Sequence, residues 1–260
     1  MSEKKHLLVT NDDGIDSFFL RVLVDALVED FRVTVAAPMG EKSWIGRAMS
    51  RQGQVHLAEY DNFPCRAFAL DGTPSDCVNI SLGHLLTDDM PDAVCSGINL
   101  GFNCMAPLIF SSGTVAGALE GAAWGLPALA FSHQVPDNVY EQLRQTHGKA
   151  EGALETSLRA AGKWASRFAM QRLGEGQPGL VVHNYNFPAE TTADVGIEET
   201  ALSPFKIKCL FKRSGPASFD FKYADGEPPS DGPYDWACIL RGNISYTRVD
   251  FSRVSEAPGS

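Results

Sequence analysis

The sequence has 260 residues, 44% of them hydrophobic and 21% charged, with a formal net charge of -10 at pH 7. These proportions are typical of a globular protein and argue against a disordered or fibrous chain. The negative charge disfavours a nucleic-acid partner, because binding to a polyanion depends on Lys and Arg side chains, and no apolar run reaches the roughly 20 residues of a membrane helix.

The first 40 residues predict a strand, a helix and a second strand. Residues 6–10 form a short apolar run, residues 20–28 carry apolar side chains at helical spacing, and residues 33–37 are apolar again. A βαβ unit of this kind favours a parallel sheet, in which ligands bind beyond the carboxyl ends of the strands. We therefore expect residues 11–17 and 38–50 at the ligand-binding edge of the sheet.

The alternation of strands and helices continues through the middle of the chain. The predicted elements are strands at residues 54–60 and 66–70, a helix capped by Ser75 and ending near Leu85, a strand at 92–95, a polar loop at 96–112, a helix at 114–123, a strand at 127–131 and an amphipathic helix from about 154 to 173. This pattern indicates an α/β fold built on a parallel sheet.

The last quarter of the chain has a different pattern. Short apolar segments, among them residues 205–211 and 236–240, alternate with Pro and Gly and are interpreted as strands. We therefore divide the chain into a core at residues 1–190 and a β-rich C-terminal extension at residues 191–260, which we expect to take part in oligomerisation.

The cysteines and the N-terminus indicate a reducing compartment. The six cysteines are scattered, with no CxxC pair and no histidines at zinc-finger spacing, and we interpret them as reduced packing residues. The polar N-terminus leads directly into the first strand without the apolar stretch and cleavage site of a signal peptide. We expect a cytoplasmic location.

Two adjacent carboxylates follow the first predicted strand, in the segment Asn11-Asp12-Asp13-Gly14. On a tight loop, which Gly14 permits, both carboxylates can converge on one hard cation. Asn, Asp and Gly are also common turn residues, so the segment by itself is weak evidence and fits a turn that has no ligand.

Further polar loops fall at the same predicted edge. Ser43 and Asn99 both follow predicted strands and offer neutral oxygen ligands. A cation held by two carboxylates and two neutral oxygens keeps residual positive charge and can retain water, which suits phosphoryl chemistry.

The segment Ser111-Ser112-Gly113-Thr114 directly precedes a predicted helix. Hydroxyl groups, backbone N–H groups and the positive end of the helix dipole can meet one phosphate there. An ordinary Ser/Thr helix cap is the alternative interpretation.

In this order, these segments resemble the SurE family of nucleotidases. The matching segments are residues 9–15, Ala37-Pro38 with Ser43, residues 72–78, residues 96–99 and residues 112–115, with weaker similarity at residues 184–188 and 242–247. Each segment is short, but the ordered set is specific and spans nearly the whole chain.

The resemblance implies a three-layer, Rossmann-like phosphatase with one divalent cation per subunit, Mg²⁺ or Mn²⁺. The implied substrates are nucleoside 5'-monophosphates, and also 3'-monophosphates and short polyphosphate. The implied assembly is a homodimer or homotetramer. We expect no nucleic-acid or membrane partner, because of the negative net charge and the short apolar runs. At the matching positions, the resemblance implies four metal ligands, Asp12, Asp13, Ser43 and Asn99. Three of these, Asp12, Asp13 and Asn99, are implied to be catalytic. The residues implied to bind the phosphate are Asn103, Ser112, Gly113 and Thr114.

The sequence departs from the family pattern at a few positions. Phe18-Phe19 stands where Pro-Gly is usual, and Trp44 replaces a usual Gly beside Ser43. These rings either narrow the pocket, stack on a base or pack in the core.

Two other functions remain open. A haloacid-dehalogenase-type phosphatase would form an aspartyl-phosphate through an Asp-x-Asp motif, whereas the two aspartates here are adjacent. A nucleotide- or metal-binding module that has lost catalysis would retain the same ligands without turnover.

Overall fold

The computed structural model describes residues 4–174, 179–222 and 228–252, in which a nine-stranded sheet forms the centre. The strands are β1 (His6–Thr10), β2 (Arg32–Pro38), β3 (Leu57–Glu59), β4 (Arg66–Leu70), β5 (Ala93–Leu100), β6 (Ala128–His133), β7 (Val181–Phe187), β8 (Ile197–Glu199), β9 (Phe211–Gly215), β10 (Ser218–Phe221) and β11 (Ile244–Asp250). The helices are α1 (Phe18–Asp30), α2 (Pro74–Ile80), α3 (Ala106–Ile109), α4 (Gly113–Ala123), α5 (Asp137–Gln145), α6 (Gly152–Arg172) and α7 (Asp235–Leu240).

Six neighbouring strands of the sheet run parallel, in the order β4-β2-β1-β5-β6-β7. The chain builds outwards from β1 in one direction, and then returns to place β5 on the other side of β1. This is the doubly wound order of a Rossmann-like fold, with its topological switch point between β1 and β5. The predicted α/β class is confirmed.

Helices cover both faces of the sheet. On one face α1 packs against α6, and on the other face α2 packs against α4. The larger core lies under α1 and α6 and includes Phe19, Leu23, Leu158 and Phe168, all of them buried. Apolar side chains thus fill the space between the layers, as a three-layer α/β architecture requires.

The predicted βαβ unit at the N-terminus is confirmed. The strand β1 occupies residues 6–10, and β2 contains the predicted residues 33–37. Helix α1 begins earlier than the periodicity indicates because Ser17 caps it, accepting a hydrogen bond from the backbone N–H of Leu20 at 3.4 Å.

The predicted cap of the second helix was wrong. Thr73, not Ser75, caps α2: the Thr73 hydroxyl accepts the N–H of Asp76, and the Asp76 carboxylate accepts the N–H of Thr73. This reciprocal capping box satisfies two backbone donors at once, which a serine inside the first turn cannot do. A π-helical turn, Ser81–Leu85, continues α2 to the predicted end.

Three other element predictions need correction. The strand β5 continues to Leu100, inside the predicted loop, because it pairs with β6 beyond Ser96. Residues 236–240 lie in the helix α7, and residues 205–210 form no strand. Short apolar runs fit a strand and a buried helix equally well, so periodicity could not decide between them.

The C-terminal segment is divided between two sheets. Strand β11 pairs antiparallel with β7, and β8 pairs with β11, so both extend the main sheet. Strands β9 and β10 form a separate antiparallel hairpin. None of the helices in the described part of the chain is long and apolar enough to span a bilayer.

Candidate active site

The loops that follow β1, β2 and β5 meet at the switch point of the sheet. Asp12 and Asp13 follow β1, Ser43 lies in the connection after β2, and Asn99 is the penultimate residue of β5. Parallel neighbouring strands end at the same edge, and the reversal in strand order leaves a crevice there. The fold therefore brings together the loops that carry the four proposed metal ligands.

Asp12 is almost completely buried and is held by the start of α4. Its side chain is 3% exposed, and its Oδ1 accepts a hydrogen bond from the Thr114 hydroxyl at 2.5 Å. Burial raises the pKa of Asp12 to about 6, although hydrogen bonding from Thr114 opposes that shift. The Thr114 side chain, proposed at the phosphate, thus orients a carboxylate.

Gly113 allows the helix to approach this carboxylate. A Cβ atom at Gly113 would lie 2.7 Å from the Cβ of Asp12 and 3.0 Å from the carbonyl oxygen of Lys42. Side chains do not approach so closely, so glycine is required at this contact. The start of α4, the Asp12 carboxylate and the loop after β2 consequently lie against one another.

Asp13 links the ends of β1 and β5. Its Oδ2 accepts a hydrogen bond from the backbone N–H of Leu100 at 2.9 Å. Burial, and then the charge of neighbouring Asp12, raise the pKa of Asp13 well above its usual value. The two carboxylates repel each other when both are ionised.

This arrangement fits a divalent cation. In the part of the chain that the structure describes, no Lys or Arg side chain forms an ion pair with Asp12 or Asp13. Buried carboxylates without a cationic side chain are costly unless a metal or a proton neutralises them. Oxygen ligands of this type suit hard cations such as Mg²⁺ and Mn²⁺.

Asn99 and Ser43 retain oxygens that a cation could use. The Asn99 side chain donates from Nδ2 to the carbonyl oxygen of Gly101 at 3.0 Å, which leaves its Oδ1 available. Ser43 is half-buried, and its hydroxyl forms no hydrogen bond with a described residue. The loop is fixed beside the carboxylates because the N–H of Lys42 donates to the carbonyl oxygen of Asp12 at 2.7 Å.

Among the proposed phosphate residues, Ser112 caps α4. Its Oγ accepts the N–H of Val115 at 3.1 Å. The positive end of α4, an 11-residue helix, therefore begins directly beside Asp12. An anionic ligand placed there would be attracted by the helix end and would lie next to the proposed cation.

Asn103 is held from two strands. Its Nδ2 donates to Ser132 on β6 at 2.8 Å, and its backbone N–H donates to Asn186 on β7 at 2.7 Å. Its carbonyl oxygen accepts from Asn184 and Asn186. Neither asparagine was predicted to have a role, and the only signal for them in the sequence was the weak family similarity at residues 184–188.

The segment Gly72-Thr73-Pro74 holds the loop that carries Ser43. The Thr73 hydroxyl donates to the carbonyl oxygen of Ala48 at 2.8 Å, and the N–H of Ser50 donates to Asp76 at 3.1 Å. The connection between β2 and β3 has no regular structure of its own, so side-chain contacts must fix it. The segment thus stabilises the loop after β2 in addition to capping α2.

A buried glutamate of α4 adds a further contact to the same loop. Glu120 is 2% exposed, forms an ion pair with Arg47 at 2.5 Å, and accepts a hydrogen bond from Asn79 at 2.8 Å. Helix α4 therefore contacts Asp12 at its first turn and the loop at its last. Nothing in the spacing of the sequence indicated this pairing.

A cavity of about 100 Å³ adjoins Asp13 and is lined by charged residues for which the sequence predicted no role. Glu41 and Arg144 line it, and their side chains form an ion pair at 3.3 Å. Arg144 lies on α5, a helix that was not predicted. A cationic side chain near the carboxylates is a candidate contact for an anionic substrate.

The unusual aromatic residues lie in different environments. Phe19 is completely buried in the core and makes an edge contact with His133, so core packing accounts for it. Phe18 is half-buried at the rim of the same core. Trp44 is exposed on the loop beside Ser43.

Fold and site together define a Rossmann-like α/β protein with an acidic, oxygen-rich site at its switch point and a helix N-terminus beside it. The family model described as "Survival protein SurE" matches residues 7–208. The chain therefore belongs to the SurE family.

Relatives and a solved structure agree with this assignment. The protein named 5'-nucleotidase SurE from Methanothrix thermoacetophila is 34% identical to this chain, over 97% of this chain and 98% of the relative. The protein of the same name from Caulobacter vibrioides is 33% identical, over 93% of this chain and 88% of the relative. The crystal structure of the SurE protein from Aquifex aeolicus is similar with a TM-score of 0.73 and 26% identity, over 94% of this chain and 93% of that one.

Proposed function

We propose that this chain is a 5'-nucleotidase that hydrolyses nucleoside 5'-monophosphates to a nucleoside and phosphate with the help of a divalent cation. The names of its relatives support the reaction class. We extend the proposal to 3'-monophosphates and short polyphosphate, because a site that recognises mainly a terminal phosphate tolerates variation in the rest of the substrate.

The observation that carries the proposal is the contact between the carboxylate pair and the start of α4. Thr114 and Gly113 place the first turn of the helix directly against Asp12, and Asp13 lies beside it. One part of the site suits a cation and the adjoining part suits an anion. A phosphate ester that bridges the two would satisfy both.

Asp12, Asp13, Ser43 and Asn99 would hold the cation in this proposal. When bound, Mg²⁺ or Mn²⁺ would offset the charge of the phosphate and lower the pKa of a water molecule. The chain would supply orientation: the Thr114 hydroxyl fixes the Asp12 carboxylate, and the N–H of Leu100 fixes that of Asp13. The first turn of α4 would stabilise charge on the phosphate oxygens.

The direct test is phosphate release from AMP and GMP by the purified full chain with Mg²⁺ or Mn²⁺. We expect turnover that EDTA abolishes and that excess cation restores. Nucleotide binding without phosphate release would favour the binding module over the enzyme. A covalent phosphate trapped on Asp12 or Asp13 would favour the haloacid-dehalogenase mechanism.

The residue assignment is tested by Asp12→Asn and Asp13→Asn. We expect kcat to fall by about 100-fold or more in each, because a neutral amide is a poorer ligand for a hard cation. Far-UV circular dichroism should remain like that of the wild type. The matched control is Asp25→Asn on α1, whose carboxylate is solvent-exposed near Arg21 and should leave kcat unchanged. Normal turnover in both site variants would refute the assignment.

A further inference from the structure

Trp44 is held in an unusual backbone conformation beside the site. Its φ of 61° lies in the left-handed region, which residues other than glycine and asparagine rarely adopt, and its side chain is 39% exposed. Strained backbone of this kind concentrates at functional sites and ligand contacts. A large aromatic side chain held in this way at the surface needs an explanation beyond core packing.

A second exposed aromatic side chain supports the indole. The Phe221 ring, from the β9–β10 hairpin, lies with its centroid 5.0 Å from that of Trp44 at an angle of 58°. Phe221 is 47% exposed and also makes an edge contact with Phe211 on the neighbouring strand. The two rings are in contact and together present an exposed aromatic surface.

The position of Trp44 relates this aromatic surface to the carboxylates. Trp44 directly follows Ser43, and the backbone of Lys42 contacts Asp12 through its N–H and lies against Gly113 through its carbonyl oxygen. Two residues span at most about 8 Å between Cα atoms, so the indole is attached close to the start of α4. The loop that carries Trp44 therefore lies within the length of a nucleotide from the start of α4.

We propose that Trp44, supported by Phe221, is a stacking surface for the base of the nucleotide substrate. This inference rests on the proposed nucleotidase function and adds a subsite for the base to it. Stacking on an aromatic ring tolerates any base, since all bases have a flat π face. The subsite therefore favours nucleotides over phosphate esters without a base, with little discrimination between AMP and GMP.

The test compares AMP with ribose 5-phosphate, which has the same phosphate and sugar but no base. In Trp44→Asn, whose side chain tolerates the left-handed backbone, we expect KM for AMP to rise about tenfold with kcat nearly unchanged. KM for ribose 5-phosphate should stay within about twofold of the wild-type value, since no stacking is lost. Trp44→Phe keeps a ring and should restore most of the affinity for AMP, and Phe221→Ala should show a smaller loss than Trp44→Asn.

The matched control is Trp124→Ala, which removes another exposed indole at the opposite end of α4 and should leave both KM values unchanged. Equal changes for AMP and ribose 5-phosphate in Trp44→Asn, or no change for either, would overturn the inference. A dimer that dissociates in Trp44→Asn while KM for AMP stays normal would also overturn it, because the rings would then contact a second copy.

Failure of the proposed function gives a different result. If the wild type releases phosphate from neither compound, the nucleotidase proposal fails, and calorimetric binding of AMP and ribose 5-phosphate decides the stacking inference alone. A preference for AMP that disappears in Trp44→Asn supports it, and a preference that persists contradicts it.

Discussion

Asp12 and His133 are buried ionisable side chains whose pKa values shift in opposite directions for the same reason. Burial disfavours the charged form, so it raises the pKa of Asp12 to about 6 and lowers the pKa of His133 to about 4. Each side chain makes a hydrogen bond to a hydroxyl group, to Thr114 and to Ser157 respectively. Burial thus makes the charged form of each side chain less favourable than it is in water.

His133 makes the stability of the protein depend on pH. A histidine whose pKa is lower in the folded state binds fewer protons there than in the unfolded state, so the free energy of unfolding falls as pH falls from about 6.5 to about 4. The slope should approach about 1.4 kcal/mol per pH unit. We expect His133→Gln to remove this contribution, measured by denaturant unfolding at pH 7, 6 and 5.

The control for this prediction is His56→Gln, at a solvent-exposed position. That variant should keep the pH slope of the wild type. A His133→Gln variant with the wild-type slope would show that protonation of His133 is not coupled to unfolding.

At the scale of elements, α4 determines the geometry of the site through its small residues. A Cβ atom at Gly121 would lie 2.5 Å from Val94 on β5, and one at Gly113 would lie 2.7 Å from Asp12. The helix therefore packs unusually closely on the sheet, and its first turn reaches the carboxylates. The small-residue composition that predicted a helix at residues 114–123 also determines this close packing.

Gly113→Ala tests the close approach of α4. Because the added methyl group overlaps Asp12, we expect kcat for AMP to fall at least about tenfold and the free energy of unfolding to fall by about 1–3 kcal/mol. The matched control is Gly83→Ala, where the nearest atom to an added Cβ would be a ring carbon of Trp124 at 3.6 Å, an ordinary van der Waals distance. It should retain activity and stability. Normal kcat in Gly113→Ala would mean that the helix can shift without affecting the site.

At the scale of the whole molecule, the doubly wound sheet places an uncompensated pair of carboxylates inside a protein that already has a net charge of -10. Folding buries Asp12 and Asp13 side by side, which strengthens their mutual repulsion because less water screens the two charges. A cation that binds only the folded chain would relieve the repulsion and stabilise the entire fold.

We expect Mn²⁺ or Mg²⁺ to raise the thermal midpoint by several degrees. A cation at about 100 times its Kd adds about 2.7 kcal/mol, and each kcal/mol corresponds to roughly 2–4 °C for a domain of this size. The rise, measured by scanning calorimetry after EDTA treatment, should be absent in Asp13→Asn and present in Asp25→Asn. An equal rise in all three proteins would place the bound cation elsewhere.

The elements with clear periodicity could be predicted from the sequence alone, among them β1, α1, β2 and α6. The same is true of the edge of the sheet to which Asp12, Asp13, Ser43 and Asn99 belong. These follow from local patterns of apolar residues and from the order of strands and helices. The ambiguous elements were short or polar: residues 236–240 form the helix α7 because burial against the sheet, not periodicity, decides the structure of such a short segment.

The contacts of the polar side chains, in contrast, depend on the folded arrangement of the whole chain. Thr114 binds Asp12 across 102 positions of the chain, Asn186 holds Asn103 across 83, and Arg144 reaches Glu41 across 103. Periodicity describes only which face of an element a residue occupies, whereas these partners are fixed by the strand order that brings distant loops to one edge of the sheet. The loops of the candidate site were therefore readable in the sequence, but the hydrogen bonds that orient its carboxylates were not.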